Sequence, residues 1–173
     1  MTIPFCTSNS LGVDFSRVDV LASTLYPGYI DQPPFALGTK MTGSDGSVWV
    51  YVKFATGGVT GLGYVVHIDE DWLATMLANA VGATGDRVGV APAAALVNNY
   101  GWVQVYGTCD AIQVLASCAA NVALATTTTA GAIDDAVANP TQNITGMWLT
   151  TARAASQGNA PGELNWPTIG TTN

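Results

Sequence analysis

The sequence predicts a mainly β protein: a compact barrel or sandwich of short antiparallel strands, with an extended N-terminal arm and at most one or two short helices. Three observations carry this. Apolar runs rich in β-branched and aromatic residues are short and recur at roughly 8–12-residue spacing, as in sandwiches and barrels. Gly and Asn punctuate the intervals between them. One pair of runs is joined by an Asp-Gly turn, a favoured hairpin connection because Gly accepts positive φ.

Residues 1–34 read as an arm or irregular leader, with isolated apolar residues (Phe5, Leu11, Phe15, Val18, Leu21, Leu25) among Ser, Thr, Asn and Asp. A short helix is expected over Ser16–Thr24. The leader ends in Tyr26-Pro27-Gly28-Tyr29-Ile30-Asp31-Gln32-Pro33-Pro34, whose adjacent prolines lack N–H donors and favour extended backbone before them. It is expected to drape on its own domain or on a neighbour.

Residues 35–173 read as the β domain, with an irregular C-terminal tail. Leu37–Thr42, the turn Gly43–Ser47 and Val48–Phe54 form a hairpin. Leu62–Ile68 supplies the next strand. Asp69-Glu70-Asp71 then precede Trp72, Leu73, Met76, Leu77 and Ala80, a spacing that fits one face of a short helix with acids in its first turn. An extended path over Trp72–Met76 is the alternative. Arg87–Ala91 reads as a strand, with Pro92 marking an edge or bulge. Ala93–Val97, the turn Asn98–Gly101 and the alternating run Trp102–Tyr106 follow. Further short strands are expected at Ile112–Leu115, Val122–Ala125, Ala132-Ile133, Ile144–Thr150 and Leu164–Ile169.

Composition narrows function. Charged residues are 10% of the 173-residue chain, against roughly 25% in an ordinary soluble domain. Such a surface must be covered by Thr, Ser, Asn, Gly and Ala, which suits a protein packed against copies of something. The net charge is −7, and the five bases, Arg17, Lys40, Lys53, Arg87 and Arg153, are scattered singly. Nucleic-acid binding needs clustered bases to neutralise phosphates, so neither nucleic acid nor an anionic membrane is an expected partner. No apolar run approaches the roughly 20 residues of a membrane helix, and no basic, apolar secretory leader is read at the N-terminus.

No catalytic constellation is read, and no enzyme activity, cofactor or metal is expected. His67 is the only histidine; its neighbours Asp69 and Asp71 make a weak metal set, and no Gly-x-Ser-x-Gly elbow accompanies it. The acid pairs Asp69/Asp71 and Asp134/Asp135 sit in polar, turn-like stretches where solvation keeps carboxylates ordinary. Cys6, Cys109 and Cys118 match no zinc spacing and read as buried reduced thiols, a Cys109–Cys118 bridge being the alternative. Gly57–Gly63 is glycine-rich but lacks the Gly-Lys-Ser/Thr of a phosphate cradle. Trp49, Tyr51, Trp102 and Tyr106 alternate with Val and read as core or barrel wall. Tyr26, Tyr29, Phe35 and Trp166 are harder to place in a core and are the partner-interface candidates.

Three stretches read as a family. Gly38-Thr39 with Gly46–Val52 forms its opening hairpin, and Gly85–Ala91 through Tyr100–Gly107 its centre. Val114–Leu124 with Thr128–Asp135 forms its later part. Together, over roughly residues 37–150, these resemble the capsid decoration (cement) proteins encoded beside the major capsid protein in many tailed bacteriophages. The resemblance implies a structural protein, assembled in the host cytoplasm, that sits on the exterior of the virion capsid. It implies no catalytic residues. The expected partner is the major capsid protein, bound as a homotrimer over local three-fold positions, stapling adjacent subunits and stabilising the expanded head. Deleting residues 1–34 is expected to leave the β domain folded while weakening capsid binding. The alternatives are a head-completion or tail/fibre component and a carbohydrate-binding β module, the latter recognisable by a sugar affinity lost with a solvent-facing Trp.

Overall fold

A computed structural model describes residues 12–21, 32–79, 81–135 and 142–172. The described chain is all β, without helices, in eleven strands. These are β1 (Val18–Asp19), β2 (Lys40–Thr42), β3 (Val48–Phe54), β4 (Val65–Ile68), β5 (Leu73–Met76), β6 (Arg87–Val90), β7 (Tyr100–Val114), β8 (Leu124–Thr126), β9 (Ile133–Asp134), β10 (Gln142–Leu149) and β11 (Gly158–Thr172).

Their pairings close into two rings that share β7. In the first ring β3 pairs antiparallel with the N-terminal half of β7, β7 touches β6 at Val90–Gln104, and β6 pairs with β4, β4 with β5. A parallel β5–β3 pairing, Lys53 opposite Leu73, completes the circuit. In the second ring the C-terminal half of β7 pairs with β11, β11 with β10, β10 with β8 and β8 with β9. It closes through the parallel contact of Val114 with Ile133. Closing a ring leaves no free edge for stray pairing.

Each ring encloses its own apolar cluster. Val50, Val52, Phe54, Val66, Ile68, Val103 and Val105 fill the first; Ile112, Val114, Leu124, Ile133, Leu149 and Leu164 belong to the second. Strand alternation sends the other residues of β3 and β7 outward. There Trp49, Tyr51 and Trp102 form a third buried cluster, on the outside of the first ring.

The shared strand bends where it passes from one ring to the other. Gly107 adopts φ 92°, and a Cβ there would lie 3.0 Å from Cα of Ser47. The buried Gln104 amide donates to the carbonyls of Tyr106 (3.2 Å) and Thr108 (2.8 Å), satisfying acceptors on both sides of the bend.

The leader covers the outer aromatic cluster. Phe15 is fully buried, stacked on Trp49 at 4.9 Å and edge-on to Trp102 at 5.3 Å. Val18 and Asp19 pair with Gly101 and Tyr100, so the described part of the helix expected over Ser16–Thr24 holds a two-residue strand and no helix. Asp19 is buried, but it accepts from the Tyr51 hydroxyl at 2.7 Å and pairs with Arg17 Nε at 2.9 Å. Burial and the adjacent carboxylate together hold the Tyr51 phenol well above its ordinary range. Removal of residues 1–34 would therefore uncover Trp49, Tyr51 and Trp102. The deletion expected to leave the β domain folded thus also takes a fully buried ring out of this cluster.

Most expected strands are present, several with longer reach. Trp102–Tyr106 and Ile112–Leu115 are two parts of the single strand β7, and Leu164–Ile169 lies within β11. The tail expected to be irregular is strand as far as Thr172. For residues 73–76 the extended alternative holds: Asp69 does not start a helix but caps a turn, its Oδ1 accepting from the backbone N–H of Asp71 (3.0 Å) and Leu73 (2.9 Å). Among the described residues no helix is long and apolar enough to cross a membrane.

Candidate functional site

Among the described residues five besides glycine adopt left-handed backbone, Asn98, Ser117, Asn121 and two tryptophans. Trp72 has φ 62° and Trp166 φ 50°, a left-handed conformation that is an outlier for a bulky residue. Trp166 also precedes Pro167, which ordinarily drives its predecessor to extended backbone. Such strain persists only where the surrounding structure fixes it, and it concentrates at binding sites.

What fixes each is visible. Trp72 closes the β4–β5 turn, its N–H donating to the Asp69 carbonyl, and its ring lies on Gly38, where a Cβ would sit 2.4 Å from the indole. Trp166 lies in a bulge of β11. Thr145 pairs with Thr168 and Met147 with Leu164, so Asn165, Trp166 and Pro167 together face the single residue Gly146. A bulge of this kind re-aims a side chain. Here it turns Trp166 outward, leaving it 44% exposed.

Both rings line one cleft of about 170 Å³, together with Lys40, Arg87, Val88 and Thr168. Lys40 Nζ stands 4.8 Å from the Trp166 centroid, and Arg87 Cζ stands 4.3 Å from the Trp72 centroid. Cation–π attraction of this geometry holds each cation in place without neutralising it. Two of the chain's five bases thus converge on one cleft of a strongly acidic protein. The cleft can receive a flat or apolar group between the indoles and an acidic group at the cations.

The four interface candidates fall in different places. Tyr26 and Tyr29 lie outside the described residues. Phe35 packs edge-on against Tyr51 (5.3 Å) and Trp102 (5.1 Å) and lines a separate cleft beside Val13, Arg17 and Asp19. Of the two described candidates, Trp166 reaches the strained cleft. Sequence reasoning missed Trp72, Lys40 and Arg87 as its companions. Apolar spacing fits Trp72 to a helix face or an extended path, and the two cations come from β2 and β6, far apart in the chain.

Neither described cysteine is an activated nucleophile. Cys109 and Cys118 are both free and buried, as the thiol reading expected, and Cys6 lies outside the described residues. Burial pushes both thiols up to about 12, so each stays protonated. Cys118 sits with Asp134 and Asp135, their ligand atoms all within 4.8 Å of one another. Asp134 is buried, not the solvated turn acid the sequence suggested, and burial raises its carboxyl. Asp135 is spent on the backbone, accepting from the Ala119 N–H at 3.1 Å.

His67 Nδ1 lies 3.7 Å from Asp86 Oδ2, too far for a hydrogen bond, and finds no partner. Burial lowers its pKa from 6.5, outweighing the attraction of Asp86 and then Asp69. A depressed histidine contributes stability that is complete above its unfolded value and lost as pH falls toward the folded one. Urea unfolding from about pH 7.5 to 5 should therefore show a loss of stability on acidification that is smaller in His67→Gln. Equal slopes in the two proteins would show that His67 is not held neutral by burial.

A scan against protein-family models gives no match, and a search of curated proteins gives none either.

Proposed function

We propose that this chain is a structural virion protein of a tailed bacteriophage, bound to the outer surface of the capsid and stapling adjacent major capsid protein subunits in the expanded head. The observation that carries the reading is the Trp72–Trp166 cleft: two aromatic anchors fixed in strained backbone, each with a cation laid on its ring. Rigid Trp anchors beside Arg are what protein interfaces use for most of their affinity. The charge-poor composition supports it, since a chain with 10% charged residues has few charges to desolvate on packing against a lattice. So does the resemblance of residues 37–150 to decoration proteins. On a closed shell each contact can be weak, because symmetry repeats it. Trimers over local three-fold positions are the arrangement that family resemblance favours.

Co-sedimentation with cognate expanded capsids lacking the protein tests this. Saturation near one copy per capsid subunit is expected, with raised resistance of the particle to heat. Trp166→Ala should weaken binding about tenfold or more, as loss of an interface anchor does. A few copies per particle would move the protein to the portal or tail, and no binding would refute the capsid reading.

A further inference from the structure

A second groove lies on the other side of Tyr106, on the outer face of the second ring where β10, β11 and β7 run side by side. It holds about 570 Å³ and is lined by Asp45, Tyr106, Thr108, Trp148, Glu163 and Asn165. That volume is within the range of small-molecule sites.

The register shows how it is built. Trp148, Glu163 and Thr108 stand in one row across the three strands, and Asn165 and Tyr106 form the neighbouring row on the same face. Trp148 and Tyr106 are 37% and 40% exposed, so each offers ring surface to the groove. From strand spacing and rise, their backbones are about 12 Å apart, so an elongated ligand can reach both rings.

Between the aromatics the floor is polar and partly pre-set. Thr108 Oγ1 donates to Glu163 Oε1 at 2.8 Å, which steadies the carboxylate while leaving lone pairs for further donors. At the rim Asp45 is held by the Ser47 N–H (3.0 Å) and hydroxyl (2.6 Å). The Asn165 amide adds both a donor and an acceptor.

The donor set selects the ligand. Two carboxylates and no Lys or Arg in the lining repel an anion. The open, polar floor does not suit a lipid. A caged ammonium needs several rings converging on one charge, whereas Trp148 and Tyr106 stand in different rows, on the strands either side of the one that carries Glu163. What remains is a neutral molecule with apolar C–H faces for the rings and many hydroxyl donors for the carboxylates. We infer that this groove is a binding site for a neutral saccharide of about two sugar units, stacked on Trp148 and Tyr106 and hydrogen-bonded to Glu163 and Asp45. It shares no lining residue with the Trp72–Trp166 cleft, so loss of either binding leaves the other measurable.

The test titrates the full-length protein with neutral disaccharides of gluco, galacto and manno configuration in α and β linkage, read by tryptophan fluorescence and saturation-transfer NMR. Galacturonic acid and tetramethylammonium serve as charged controls. Saturable binding to at least one disaccharide is expected at a Kd on the order of 1 mM. Trp148→Ala and Glu163→Gln should each weaken it about tenfold with unchanged unfolding temperature. Trp72→Ala, which removes a ring lying against Gly38 and Arg87 away from this groove, should leave it intact. No saturable response from any disaccharide would overturn the inference. So would binding that survives both Trp148→Ala and Glu163→Gln, or either control binding as tightly as the sugar.

Discussion

Replacing Phe15 by Ala is expected to lower the unfolding temperature by about 10 °C, although the residue belongs to a leader that the sequence offers as an arm. Phe15 is fully buried, stacked on Trp49 and edge-on to Trp102, at the centre of a cluster that Val13, Phe35 and Leu37 also pack against. Truncation of a buried Phe removes its transfer free energy and leaves a cavity, about 3–5 kcal/mol together. Collapse is limited here, because Trp49 is tied by its indole N–H to Ser47 Oγ at 2.7 Å and Trp102 lies within a paired strand. Val20→Ala is the matched control, since Val20 is 69% exposed in the same segment and should cost almost nothing. A shift no larger than the control's would mean that the leader does not cover the aromatic face in solution.

That dependence alters how the leader can work. Residues 12–21 add a strand to β7 and a ring to an aromatic cluster, and Phe35 returns to the same cluster from the far side of residues 22–31. Displacing the described piece of the leader onto a neighbour would therefore uncover core.

Local signals in the sequence located most strands, because they rest on short-range physics. The Asp45-Gly46 turn fixes β2–β3, and Val/Trp/Tyr alternation marks β3 and the first half of β7. The two parallel closures left no local trace. Lys53 meets Leu73, and Val114 meets Ile133, only because other strands lie between them in the ring. The helix expected after Asp69 failed for a specific reason: apolar spacing at Trp72, Leu73, Met76 and Leu77 fits two structures, and the Asp69 side chain capping Leu73 and Asp71 favours the turn. Trp166 was legible as an aromatic residue out of place. Its companions in the cleft were not, since Lys40, Trp72 and Arg87 are joined to it by ring closure alone. The Cys118–Asp134–Asp135 cluster was hidden in the same way, its members meeting where the second ring closes.

Gly146→Ala is expected to cost about 3 kcal/mol and to dislodge Trp166, and it separates the strain of the bulge from its function. Gly146 has φ 74°, a left-handed conformation that costs an L-residue roughly 1–2 kcal/mol. Its Cβ would also lie 2.5 Å from the carbonyl oxygen of Asn165, a backbone atom that cannot rotate away. Relief requires the three-residue bulge to move, and with it the contacts of Trp166 to Tyr106 (6.0 Å between centroids) and to Lys40. Gly57 provides the comparison: its φ is 81° and a Cβ there meets nothing within 4 Å, so Gly57→Ala reads the conformational cost alone. The excess loss of stability in Gly146→Ala over Gly57→Ala is then the cost of displacing the bulge, and a changed Trp166 emission should accompany it. Equal losses, with unchanged emission, would mean that Gly146 does not set the position of Trp166. If the excess is present and partner binding falls as it does in Trp166→Ala, the strained backbone holds the anchor where the partner needs it.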